Sequence, residues 1–215
     1  MATIGIIDYG MGNLHSIAKA LEYVASGDRV EVSYDPDKLR RADRLVLPGV
    51  GAIRHCMDEL RRLELIDLIR EVAGQVPLLG ICLGMQVMLT HSEENDGTDA
   101  LGLFAGQVRR FPDPASGSGD DQRLKVPHMG WNQVRVERDH ALWKGIAPSA
   151  SFYFVHSYYV EPAEPAHSFG STEYVRRFSS VLLRDNLLAT QFHPEKSQGA
   201  GLALLANFLQ WNGKA

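Results

Sequence analysis

The sequence predicts an α/β fold, with a mostly parallel central sheet flanked by helices and a mixed or antiparallel extension in the second half. Two observations predict it. Up to about residue 90, short apolar runs alternate with helical apolar periodicity, a pattern that builds parallel strands covered on both faces. Beyond about residue 100, strand signals succeed one another without long helices between them, as antiparallel pairing allows. The 215 residues read as one domain, 1–215, long enough to bury a sizeable core.

Thr3 to Asp8 is a short apolar strand that ends in a glycine turn. A helix follows from about Leu14 to Ala25, with Asn13 as its N-cap and Leu14, Ile17, Ala18, Leu21 and Val24 on one face. Val30–Tyr34 and Leu45–Leu47 are the next strands, and Ile53–Val72 is helical with a break near Leu63. Val76–Ile81 is a fourth strand that runs into a helix-like stretch, Met85–Leu89. Predicted strands in the second half are Leu101–Phe111, Trp131–Glu137, Ser151–Val160, Ser180–Leu183 and Leu187–Phe192, the last two joined by a hairpin turn at Arg184-Asp185-Asn186. A helix from about Gly199 to Trp211 closes the pattern. The polar, turn-rich stretch 112–122 reads as a mobile surface loop.

The bulk numbers exclude several classes of function. A net charge of −4 supplies no global basic field for nucleic acid or an anionic membrane. No apolar run approaches the ~18 residues that span a bilayer, and Met1–Asp8 lacks the basic start of a secretory signal. Two isolated cysteines, Cys56 and Cys82, fit reduced thiols in a cytoplasmic enzyme better than a disulfide.

Gly80-Ile81-Cys82-Leu83-Gly84 places a thiol between two glycines at a strand-to-helix elbow. Such a turn needs close backbone approach on both flanks and lifts the central side chain off the sheet. A helix N-terminus there would favour the thiolate, whose parent thiol titrates near 8.5 when free. The competing reading is a small buried hydrophobe. A nucleophilic thiol also needs a base and a group that orients the base. Of the eight histidines, His193 ends an apolar strand, so a parallel sheet would bring it to the crevice that holds Cys82. Glu195, two residues on and past the stiff Pro194, can reach one imidazole nitrogen. Pro48-Gly49-Val50-Gly51 is either a tight strand–helix connection or the source of a second N–H donor, beside that of Leu83, for an oxyanion. Asp8–Asn13 lies at another strand end and should border the same face. His193-x-Glu195 lacks the following Cys pair of a zinc deaminase, and Gly10-Met11-Gly12 lacks the third glycine of a dinucleotide fingerprint. Neither a metal nor a cofactor is expected.

Taken together, Pro48-Gly49-Val50-Gly51, Gly80–Gln86 and His193-Pro194-Glu195-Lys196-Ser197 resemble the class I glutamine amidotransferases, whose fold is flavodoxin-like. Three further segments, Ile7–Leu14, Pro127-His128-Met129-Gly130-Trp131-Asn132 and Tyr153–Tyr159, resemble the glutaminase subunits of imidazole glycerol phosphate synthases. The resemblance covers essentially the whole chain. It implies hydrolysis of L-glutamine through a thioester on Cys82, with His193 as base and acid and Glu195 orienting it. It implies an oxyanion hole from Leu83 N–H and the Val50–Gly51 turn, and substrate contacts from Gly51, Gln86, His156, Ser157 and Tyr158. It also implies a heterodimer with a (β/α)₈-barrel cyclase that receives the ammonia and makes imidazole glycerol phosphate for histidine synthesis. Asn13, Pro127, Met129, Trp131 and Lys196 would face that partner. On the residues alone, the 127–132 segment reads equally as a loop packed on its own core, and Lys196 as a solvated lysine. A glutaminase of another pathway, or a binding subunit that has lost the chemistry, are the remaining alternatives.

Overall fold

The computed structural model describes residues 1–113, 124–136 and 138–214. The predicted surface loop therefore lies, from residue 114 on, outside the described residues, as does Glu137. In chain order the strands and α-helices are β1 (Thr3–Ile7), α1 (Leu14–Val24), β2 (Arg29–Ser33), α2 (Pro36–Arg40), β3 (Arg44–Gly49), α3 (Ile53–Arg62), α4 (Leu65–Val72), β4 (Leu78–Cys82) and α5 (Leu83–Val87). They continue with β5 (His91–Ser92), β6 (Thr98–Asp99), β7 (Gly106–Arg110), β8 (His128–Gln133), β9 (Arg135–Val136), β10 (Ser151–His156), β11 (Tyr158–Pro162), β12 (Ser168–Glu173), β13 (Arg177–Arg184), β14 (Leu187–Thr190) and α6 (Gln198–Gln210).

The main sheet runs β2-β1-β3-β4-β14-β13-β11-β7-β5-β6, with β12 and β9 continuing off β13. From β2 to β14 every pairing is parallel. Beyond β14 the sheet turns antiparallel through β13, β11 and β7. Its strands alternate between two cores up to the elbow at Cys82. Leu45, Leu47, Leu78, Leu187 and Ala189 pack on one face with α3 and α4, while Ile4, Ile6, Val46, Leu79, Ile81 and Leu188 pack on the other with α1 and α6. That period-two alternation with buried residues on both faces is what a sheet covered by helices requires.

Local chemistry explains the boundaries. Asn13 Oδ1 accepts from the Ser16 N–H at 3.4 Å and caps α1 as expected. The predicted break in Ile53–Val72 falls at Glu64, whose φ of 58° cannot continue a helix and separates α3 from α4. The Asp185-Asn186 hairpin joins Arg184 to Leu187, with Asp185 at φ 48°.

Several expectations needed correction. The run Trp131–Glu137 is not one strand: Trp131–Gln133 ends β8, and Arg135–Val136 is β9, which pairs with β12 in the main sheet. The run Ser151–Val160 is two strands: Ser157 lies between β10, which pairs with β8 in a separate two-stranded sheet, and β11 in the main sheet. The 127–132 segment is not a loop, because His128–Gln133 forms β8. Its alternation is inverted, with His128 buried and Met129 and Trp131 outward, so apolar-in patterning does not reveal it. The helix after the elbow is a single turn of five residues, α5, rather than a stretch over Met85–Leu89. The strand signal at Leu101–Phe111 shrinks to Gly106–Arg110.

Candidate active site

The elbow is tight because three glycines let the chain approach closely. A Cβ on Gly84 would sit 1.9 Å from the Leu47 carbonyl oxygen, and one on Gly80 would sit 2.5 Å from Met88 Sδ and 2.9 Å from the Gly84 carbonyl oxygen. A Cβ on Gly49 would meet Leu83 Cβ at 2.9 Å and the Gly84 nitrogen at 3.0 Å. Only bare backbone fits, so β3 and the start of α5 are pressed together. Cys82, at the bend, is held at φ 55° and ψ −108°, a conformation that costs a non-glycine residue about 1–3 kcal/mol and recurs where nucleophiles are presented. Register then matters: Gly49 pairs with Cys82, so Val50 and Gly51 begin immediately beside the thiol. Gly51, at φ 89°, supplies a backbone that can turn its N–H groups about this point.

His193 arrives from the neighbouring strand. β14 runs parallel to β4 with Thr190 paired to Ile81, which carries His193 past the same sheet edge as Cys82. Glu195 Oε1 lies 2.8 Å from His193 Nδ1, and the two side chains are only 3% and 2% exposed. The turn that bears them is tied down. Ser197 Oγ donates to the His193 carbonyl at 2.6 Å, and Tyr153 on β10 donates its N–H to Ser197 Oγ and accepts the His193 N–H. Gly201 in α6 permits the approach, since a Cβ there would stand 1.9 Å from the Pro194 carbonyl oxygen.

Burial works against a charged His193, but Cys82 and Glu195 outweigh it and raise its pKa to about 10. The ring is therefore an imidazolium through neutral pH. Its Nε2 forms no hydrogen bond of normal geometry, yet Cys82 is near enough to act on it, a looseness common where no substrate is bound. With α5 only one turn long, the helix dipole expected behind the thiol is small. Two other groups attend the sulfur: Gln191 Nε2 donates to Cys82 Sγ at 3.9 Å, and the Val155 carbonyl lies 3.9 Å away.

Cys82 and His193 open onto a cavity of about 250 Å³ lined also by Val50, Gly51, Leu83, Gln86, Glu94, Val155, His156, Ser157 and Tyr158. All residues expected to bind substrate are among them. A cavity of similar size, about 260 Å³, lies among Arg135, Arg138 and Arg177 and contains no part of the triad.

The family model for class I glutamine amidotransferases matches residues 5–211. The chain belongs to the class I glutamine amidotransferase family. It is 55% identical to imidazole glycerol phosphate synthase subunit HisH 1 of Pseudomonas aeruginosa over 214 residues, covering 100% of this chain and 99% of the relative. It is 53% identical to the HisH subunit of Nitrosococcus oceani, covering 99% of each. Among solved structures, a glutamine amidotransferase superposes with a TM-score of 0.70 at 18% identity, over 96% of this chain and 97% of the other. PurLQS from Thermotoga maritima gives 0.67 at 16% identity, over 98% and 99%.

Sequence reading missed three residues in or behind the candidate site. Glu94 lines the cavity while its Oε2 accepts the Ile53 N–H at 2.9 Å, which fixes the carboxylate at the start of α3. Its only signal is an acidic turn, Glu93-Glu94-Asn95-Asp96, common on any surface. Gln191 is fully buried and bridges Gln86 and Cys82. His128 is buried beside His156. Of the residues expected to face a partner, Met129 is 63% and Trp131 49% exposed, and Pro127 and Lys196 are also exposed. Lys196 Nζ lies 5.9 Å from the Tyr153 ring centre, whose edge contacts Trp131. Asn13 borders a crevice with Val50, His193 and Glu195. Cys56 is buried without exposure and its thiol is pushed up to about 12 by burial, so it stays inert. No described helix is long and apolar enough to cross a membrane.

His128 and His156 carry a consequence for stability. Burial holds their pKa values at about 4 and about 3. The unfolded chain takes up these protons near 6.5, where the folded one does not. Stability is thus expected to fall as pH drops from about 6.5 toward about 4. A urea midpoint equal or higher at pH 5 than at pH 7 would contradict this.

Proposed function

We propose that this chain, acting as one amidotransferase domain over residues 1–215, is the glutaminase subunit of an imidazole glycerol phosphate synthase. The observation that carries the reading is the Cys82–His193–Glu195 set at two adjoining parallel strand ends, with Cys82 and His193 lining a cavity. The cavity is smaller than the roughly 300–1,000 Å³ of sites for drug-sized ligands, which suits an amino acid. Glu94 supplies a carboxylate for the α-ammonium of glutamine, and Gln86, Gly51, His156, Ser157 and Tyr158 supply the walls.

Cys82 Sγ attacks the carboxamide carbon, forming a C–S bond as the carbonyl electrons move to oxygen. The oxyanion is received by the Leu83 N–H and an N–H of the Val50–Gly51 turn. The His193 imidazolium gives its proton to the amide nitrogen, and ammonia leaves with the C–N bonding pair. Neutral His193 then takes a proton from water, which attacks the γ-glutamyl thioester and releases glutamate and the Cys82 thiolate. Glu195 keeps the imidazole turned so that Nε2 faces the reaction throughout.

The ammonia goes to a (β/α)₈-barrel cyclase bound as a heterodimer over the exposed Met129, Trp131, Pro127 and Lys196 and the half-buried Asn13. Strands β8 and β10 support a dependence on that partner. Trp131 pairs with Tyr153, and Tyr153 holds the backbone of His193. Glutaminase turnover is expected to rise at least about tenfold when the cyclase and its nucleotide ligand are added. Equal turnover with and without them would overturn the partner-dependent reading.

A further inference from the structure

Behind the cavity wall runs an unbroken chain of hydrogen bonds with only one possible polarity. The Tyr158 carbonyl can only accept, so His156 Nδ1, 2.7 Å away, must carry the proton. His156 Nε2 is then an acceptor, and His128 Nδ1, 2.9 Å away, must donate to it. His128 Nε2 is left as an acceptor for Asn132 Nδ2 at 3.3 Å. Asn132 Nδ2 spends its second hydrogen on the Glu173 carbonyl at 2.8 Å. At the other end, the Tyr158 carbonyl also receives Gln86 Nε2 at 3.1 Å, and Gln86 Nε2 reaches Gln191 Oε1 at 3.2 Å. Gln191 Nε2 touches Cys82 Sγ.

His128 does not line the cavity, but its ring cannot turn. It stacks between Phe154 and Tyr174, with centroids 4.7 and 3.9 Å away and planes within 23° of parallel in both cases. Tyr174 is itself anchored, its hydroxyl donating to the Lys125 carbonyl at 2.7 Å. A clamped donor of this kind selects the partner's tautomer. Were it lost, His156 could place its proton on Nε2 and turn the Nδ1 lone pair toward the Tyr158 carbonyl, which would repel it. Gln86 would then lose a fixed acceptor.

We propose that His128 is a positioning residue for glutamine binding: it fixes the tautomer and orientation of His156, and through the Tyr158 carbonyl it fixes Gln86. The proposal rests on reading the cavity as a glutamine site. It also gives strand β8 two faces with linked roles, since Met129 and Trp131 project outward between the inward His128 and Asn132.

His128→Phe keeps a ring in the stacked slot and removes the donor. In the cyclase complex its KM for glutamine is expected to rise about tenfold, the effect of about 1.4 kcal/mol of lost binding, with kcat changed less than about twofold. Iodoacetamide alkylation of Cys82, which needs no bound glutamine, is expected to be unchanged. His128→Asn, which can donate from the same slot, is expected to recover part of the KM. An unchanged KM in folded His128→Phe, or a loss confined to kcat, overturns the proposal. If His128→Phe does not fold, nitrogen-15 shifts of the imidazoles in the unaltered protein decide it. Both His128 and His156 are expected as neutral Nδ1–H tautomers at pH 7, and an Nε2–H tautomer at either overturns the proposal. An unaltered complex without glutaminase activity would instead refute the reading of the cavity.

Discussion

Cys82→Ala in the assembled complex is expected to lower ammonia release from glutamine by at least about 10,000-fold, the scale on which removing a covalent nucleophile acts. Glutamine binding should survive with little change, because Gln86, Glu94, His156, Ser157 and Tyr158 form their walls without the sulfur. Cys82→Ser is not expected to rescue the activity. Cys82 and Glu195 raise the His193 pKa against its burial, and a serine hydroxyl in that place is a far weaker nucleophile than a thiol. The stopped assay is ammonia release with saturating glutamine, with a dissociation constant measured alongside. Activity within about tenfold of the unaltered complex would remove Cys82 from the mechanism.

Gly84→Ala is expected to destabilise the chain by about 3 kcal/mol or more, at the upper end of overpacking costs. The obstacle is backbone, not a side chain that can swing aside: the new Cβ would stand 1.9 Å from the Leu47 carbonyl oxygen. Relief requires β3 and α5 to separate. That movement would also carry the Val50–Gly51 turn away from Cys82, since Gly49 is paired with Cys82 in the sheet. Stability and activity should therefore fall together. Gly74→Ala is the control, because an added Cβ there meets nothing within 4 Å, and a change within about 1 kcal/mol is expected. Urea unfolding measures both, and a Gly84→Ala midpoint as high as that of Gly74→Ala would contradict the account of the elbow.

The parallel half of the fold was legible because its signals are local. The apolar run Leu78-Leu79-Gly80-Ile81 follows a proline and leads into the Gly80–Gly84 elbow, and α1 has both a cap and a stripe. What escaped were elements whose reasons are tertiary. β12 reads Ser-Phe-Gly-Ser-Thr-Glu, and its polar Thr172 is buried because its hydroxyl donates to Ser180 Oγ at 2.8 Å. β8 hides its imidazole and shows its indole, the reverse of the usual pattern. α2 is too short for periodicity, although Asp35-Pro36 carried a cap and a first-turn proline. The triad was legible for a different reason. A nucleophile between glycines and a histidine past a strand end are constrained by chemistry, and a parallel sheet brings such ends together. Glu94, Gln191 and His128 became visible only as neighbours of the cavity and of one another.

Of the two cysteines, Cys82 alone bonds to the carboxamide carbon of glutamine. A diazoketone analogue of glutamine, which alkylates a thiol only when seated as substrate, tests this most directly. In the cyclase complex one label per chain is expected, on the peptide containing Cys82, with glutamine protecting against it and Cys56 unmodified. Inactivation with the label on Cys56 or elsewhere, or labelling of Cys82 that glutamine does not prevent, would contradict that expectation.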